Sequence, residues 1–230
     1  MLKTFLIATL MMTTTALAAE DRPMLSLTGT GVVDRAPDIA TIRVGVNTGG
    51  KTAREALDEN TNSATAVIKT LKDAGVAEKD IQTSNFGIQP IYKDRKTISS
   101  RSENPIDYYR VSNMVSAVIR DMDNIGSVLD QVIGAGGNQV NGISFGLSTR
   151  DVALEEARVL AVKDALRKAK LYSEAAGVSL GPILSISESG DHFAPQAEVA
   201  FMRSASAPVP IQGGEVSVTA NVNIVWQIGE

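Results

Sequence analysis

Hydrophobic and polar residues alternate most clearly near the C-terminus. In VSVTANVNIVWQI, residues 216–228, Val216, Val218, Ala220, Val222, Ile224, Trp226 and Ile228 take every second position, with mostly polar residues between them. Period two puts successive side chains on opposite faces, so this run predicts a long strand with one buried face. IATIRVGV repeats the pattern with Ile42, Val44 and Val46, and YYRVSNMVSAVI repeats it with Tyr109, Val111, Val115, Ala117 and Ile119.

Three other stretches carry helical spacing. In residues 52–75, Ala53, Ala56, Leu57, Ala64, Val67, Ile68 and Leu71 fall on one face, Thr52 and Glu55 are spaced as a capping box, and Gly75 is placed as a stop. A second helix, about 122–134, is expected to bury Ile125, Val128, Leu129, Val132 and Ile133 and to end at the GAGG cluster. The third, about 151–176, has Ser148 and Asp151 as its expected cap. Its ridge of Ala157, Ala161, Ala165 and Ala169 at i to i+4 spacing lets a helix sit close on a sheet or another helix. Glu156, Lys163, Arg167, Lys170 and Glu174 form the opposite, solvated face, the ordinary reading of such a pattern.

The order of elements repeats. Strand 39–47, helix 52–74 and strand 80–92 are followed by strand 107–120, helix 122–134 and strand 139–148, an architectural echo without residue identity. The pattern predicts an α+β fold: mostly antiparallel sheet or sheets with three main helices packed on them, and two strand-helix-strand halves. Two segments break the scheme, DRKTISSRSENP at 94–105 and the Pro/Ala/Ser/Gly-rich run 189–214. A loop of more than about 15 residues in a compact domain is usually functional or unstructured. The second run holds Phe193, Val199, Phe201 and Met202, which either fold back on the body or form an oligomer interface.

The N-terminus reads as a leader. Lys3 precedes the apolar run FLIATLMM, and Ala16-Leu17-Ala18 supplies the small-x-small pattern for cleavage after Ala18, so residues 1–18 are expected to be a signal peptide and 19–230 a single domain. No stretch approaches the roughly 20 apolar residues of a membrane-spanning helix. Cleavage removes one lysine, moving the formal charge from −4 to −5 over the remaining 212 residues. That balance opposes nucleic-acid binding through a global field. With no cysteine there is neither a disulfide framework nor a thiol nucleophile nor a lipidation site, which fits an exported, periplasmic chain.

The chemistry-bearing motifs are weak. Gly142-Ile143-Ser144-Phe145-Gly146 matches the Gly-x-Ser-x-Gly of serine hydrolases, and Asp164 or Asp191 precedes the only histidine, His192, in hydrolase order. A nucleophile elbow is a strained turn between a strand and a helix, whereas Ile143, Phe145 and Leu147 alternate through this motif as a continuing strand, which turns Ser144 away from the apolar face. One histidine and no cysteine leave no transition-metal set. Thr28-Gly29-Thr30-Gly31 lacks the third glycine of a dinucleotide fingerprint and the Lys-Ser/Thr of a P-loop, so Gly29 and Gly31 are expected at a turn or a bulge in an edge strand. No cofactor and no catalytic residue is assigned.

Four segments, GTGVVDRAPDIATIRVGV (29–46), residues 108–148, residues 155–188 and PVPIQGGEVSVTANVNIVWQI (208–228), together resemble the SIMPL-domain family. The resemblance, nearest to its branch of periplasmic antigens, implies an α+β fold, a periplasmic or envelope location, self-assembly into a large ring-like or channel-like oligomer, and a link to envelope or oxidative stress tolerance. It carries no catalytic residues, and it makes the GISF stretch a strand. The first functional expectation is thus a non-enzymatic, self-assembling periplasmic protein, peripherally associated with the envelope. The alternatives are a periplasmic binding module for a small ligand or an envelope protein, and a serine hydrolase using Ser144 and His192.

Overall fold

The computed structural model describes residues 23–93, 105–189 and 211–229. Seven strands and three helices follow in the order β1 (Met24–Arg35), β2 (Ile39–Gly50), α1 (Ala53–Asp73), β3 (Ile81–Tyr92), β4 (Ile106–Ile119), α2 (Ile125–Gly134), β5 (Gln139–Gly146), α3 (Arg150–Ala176), β6 (Ser179–Ser189) and β7 (Val216–Gly229). They form two antiparallel sheets, a four-stranded one in the order β3-β4-β2-β5 and a three-stranded one in the order β1-β7-β6. The fold is α+β, as the pattern predicts.

Both strand-helix-strand halves enter the same sheet. β4 of the second half lies between β2 and β3 of the first, and β5 closes the other side, which is the interleaved arrangement of a split βαβ unit. Ala40, Ile42, Val44 and Val46 of β2 and Val115, Ala117 and Ile119 of β4 bury one face against Ala64, Val67 and Leu71 of α1 and Ile125, Val128, Leu129 and Val132 of α2. The Thr52–Glu55 capping box is formed, and Gly75, at φ +87°, follows α1 as its stop. α2 is shorter than its pattern: residues 122–124 are a 3-10 turn, and Ile133 is exposed instead of buried, because a ten-residue helix on a sheet buries one stripe and Ile133 lies outside it.

The second sheet is built from the ends of the chain. β7 is its central strand, and Val218, Ala220, Val222, Ile224 and Trp226 pack under Ala153, Ala157, Ala161, Ala165 and Ala169 of α3. Gly29 and Gly31 correct their sequence reading. β1 is an edge strand, but its pairing with β7 runs without a bulge from Met24 to Arg35. The glycines are there because α3 crosses directly over them: a Cβ on Gly29 would stand 2.0 Å from the Ala161 carbonyl oxygen, and one on Gly31 2.0 Å from that of Ala157. The alanine ridge and the two glycines are the two sides of one close contact.

Two crossings join the sheets, between β1 and β2 and between β5 and α3. At the junction the Asp38 carboxylate accepts the Ser148 N–H at 2.6 Å and the Ser148 hydroxyl. This replaces the expected cap: α3 starts after Thr149 with no side-chain cap bond, and Ser148 is used to tie the crossings together. Among the described residues no helix is long and apolar enough to cross a membrane.

Candidate functional site

The residues singled out for chemistry do not converge. Ser144 is an exposed residue inside β5, opposite Thr41 of β2, and Ile143 and Phe145 on either side of it pack on the core of the four-stranded sheet. Gly142 has a φ of +99° beside a register shift, but the chain continues through Ser144 as strand, so the motif makes no elbow. Asp164 lies on α3, in the other lobe. Asp191, His192, Phe193, Val199, Phe201 and Met202 lie outside the described residues. Among the described residues no cluster of His, Cys, Asp or Glu has the makings of a metal site.

What the geometry does single out is a difference between the two edges of the three-stranded sheet. An edge strand presents a row of unpaired N–H and C=O groups, a template for another chain. On β1 two groups of that row are taken up by α3 side chains, and a side-chain ion pair adds a third tie. Asp164 accepts the Thr30 N–H at 3.0 Å, Lys168 donates to the Thr28 carbonyl at 2.9 Å, and Glu156 holds Arg35 at 2.6 Å. Glu156, Leu160, Asp164 and Lys168 are four residues apart on α3 and so form one ridge along the β1 flank. Bonds from the Lys168 ammonium, the Thr30 N–H and the Arg167 guanidinium hold the Asp164 carboxyl well below the usual carboxylate range.

β6 is the opposite case. Its outer side has no paired strand among the described residues, and Leu180, Ile183, Leu184 and Ile186 are 37–57% exposed. One ion pair, Arg158 Nε to Glu188 Oε1 at 2.7 Å, ties it to α3. Arg158 marks the α3 flank that faces β6, and the same i to i+4 ridge continues through Val162, partly buried, to Leu166, 43% exposed. A free edge and a stripe of uncovered apolar side chains therefore run side by side. Sequence reading missed β6, because LGPILSIS has no period-two alternation: neither face of the strand is buried enough to impose one, and Pro182 is tolerated because β6 is an edge.

In the other sheet β3 has no paired strand on its outer side among the described residues, and Phe86, Ile88 and Tyr92 are exposed along it. Between the sheets lies a crevice of about 140 Å³ lined by apolar Ile39, Phe145, Leu147, Val216 and Val218, together with Gly146, Arg150 and Ser217.

A family model described as "SIMPL: Protein of unknown function (DUF541)" matches residues 25–226, from the second residue of β1 into β7. The chain belongs to the SIMPL family, as the resemblance in its sequence implies. The 26 kDa periplasmic immunogenic protein of Brucella melitensis is 35% identical to it over 210 residues, which cover 89% of this chain and 84% of that protein. The uncharacterized protein YggE of Escherichia coli K12 is 29% identical over 214 residues, 90% of this chain and 84% of that protein. YggE of Edwardsiella ictaluri is 28% identical over 183 residues, covering 80% and 75% of the two chains.

Proposed function

We propose that this chain is a non-enzymatic exported protein of the periplasm that assembles with copies of itself, through its β6 edge, into a large ring-like or channel-like oligomer serving tolerance of envelope or oxidative stress. The observation that carries the reading is the asymmetry of the edges. On β1, α3 side chains take up the Thr30 N–H and the Thr28 carbonyl, whereas β6 has no paired strand on its outer side among the described residues and exposes Ile183, Leu184 and Ile186. A solvated strand with this much apolar surface is a self-association hazard unless pairing is its use. A head-to-tail contact of β6 in one copy with β3 in the next joins two different surfaces, and such contacts close into rings when the rotation permits. In this proposal the interface extends to Phe193, Val199, Phe201 and Met202, which follow β6 in sequence. The periplasmic location is supported by the leader-like residues 1–18 and by the name of the Brucella relative.

The test is the solution mass of residues 19–230 by size-exclusion chromatography with light scattering. A large discrete assembly is expected, and Ile186→Lys should reduce it to monomer while circular dichroism stays unchanged. A monomeric wild-type chain overturns the reading. In that event the apolar crevice between the sheets favours the binding-module alternative, and a small molecule retained through purification would be its first sign.

A further inference from the structure

Among the described residues no element packs on the face of the four-stranded sheet turned away from α1 and α2. Antiparallel partners share a face, so the register places Arg43 (opposite Ser116), Asn47 (opposite Ser112) and Arg110 (opposite Gly49) on that side. Both arginines are exposed. Arg43 makes no ion pair among the described residues, and Arg110 rests on the Tyr108 ring, 5.6 Å from its centroid. In β2, β3, β4 and β5 the only carboxylate is Asp107, beyond Tyr109, the last residue of β4 to pair with β2. In a chain of net charge −4, the charged side chains that the described strands place on this face are Arg43 and Arg110, both positive.

Between the arginines runs a row of side-chain amides. Asn47 Nδ2 donates to Gln139 Oε1, Gln139 Nε2 donates to Asn141 Oδ1 at 3.0 Å, and Asn141 Nδ2 meets the Met114 sulfur at 3.7 Å. Each amide has two donors and an oxygen with two lone pairs, so the row is held in place and still has hydrogen-bonding capacity to spare. Six residues along the strands separate Arg43 from the level of Arg110, roughly 20 Å at about 3.4 Å per residue.

We propose that this open face binds a carboxylate-bearing polysaccharide strand, laid along β2 and β4 with its carboxylates on Arg43 and Arg110 and its hydroxyls on the Asn47–Gln139–Asn141 row. Guanidinium groups engage carboxylates through paired hydrogen bonds, and amides match the mixed donor and acceptor character of sugar hydroxyls. An acidic protein fits less well, because protein interfaces centre on aromatic and aliphatic anchors and the middle of this face offers only Met114. Nucleic acid needs a denser basic footprint than two arginines.

Titration calorimetry with the mature chain at low salt tests the assignment, using oligogalacturonate of about ten sugars, a neutral glucan of equal length and poly-glutamate. Binding of the uronate alone is expected. It should weaken about tenfold in each of Arg43→Gln and Arg110→Gln, the loss of one charge-assisted contact, and weaken with added salt. Arg54→Gln, on the exposed side of α1, should bind as wild type. The proposal is overturned if the uronate does not bind, if it binds the double arginine variant undiminished, or if the neutral glucan or poly-glutamate binds as tightly.

Discussion

Gly31 and Asp164 show how much of this fold rests on single positions. No room exists above Gly31 for even a methyl group, since the nearest atoms belong to the α3 backbone and cannot turn aside. Gly31→Ala should therefore cost about 1–3 kcal/mol by overpacking, measured by urea unfolding. Gly87→Ala, whose new methyl meets nothing within 4 Å, should stay within about 0.5 kcal/mol. Asp164 gives a pH signature. Its carboxyl is depressed in the folded chain by Lys168, Thr30 and Arg167, so its contribution is fully present above the unfolded value of about 3.9. It is lost as pH falls below that toward the folded value. The stability gap between wild type and Asp164→Asn should be open at pH 7 and close progressively below about pH 4. A gap of constant size would mean that the carboxylate acts by shape alone.

At the scale of elements, the three-stranded sheet is managed as a pair of unequal edges. If the α3 ridge is what keeps β1 from pairing, then Asp164→Ala with Lys168→Ala frees the Thr30 N–H and the Thr28 carbonyl and creates a second open edge. The double variant should form larger and more heterogeneous species than wild type, read by light scattering. Retention of the wild-type mass distribution would show that the β1 edge is protected by something else. Helix α1 shows a different device. Asn60 is buried in its apolar face and donates to the Val46 carbonyl at 2.8 Å and the Val111 carbonyl at 3.3 Å. This clamps helix to β2 and β4, so Asn60→Leu should lose about 1–3 kcal/mol, the range for leaving buried acceptors unpaired.

For the whole molecule, two cores are joined by two chain crossings, with Asp38 and Ser148 tying them. Asp38→Ala should loosen that tie first, and hydrogen exchange should then show faster exchange at residues 146–150 with the strand cores unchanged. The proposed interface makes its own demand at this scale. Deleting residues 193–207 should lower the oligomeric state while leaving one cooperative unfolding transition, and a variant that keeps its native mass would remove that segment from the interface.

The sequence by itself determined the elements that have one dry face. β2, β4 and β7 are legible because burial on one side imposes period two, and α1 because its capping box and its stop are local. The α+β class and the strand nature of the Ser144 motif follow from the same patterns. Only the tertiary structure decided the rest. It assigned both strand-helix-strand halves to one sheet, since pairing order depends on contacts across dozens of residues that leave no periodic trace. It also turned Gly29 and Gly31 from a bulge into a helix seat, because the atoms that require glycine there lie more than 120 residues away in sequence. The outer edge of β6 and the amide row beside Arg43 were hidden for a common reason: an exposed surface is not constrained by the chain's own core, so no hydrophobic pattern records it.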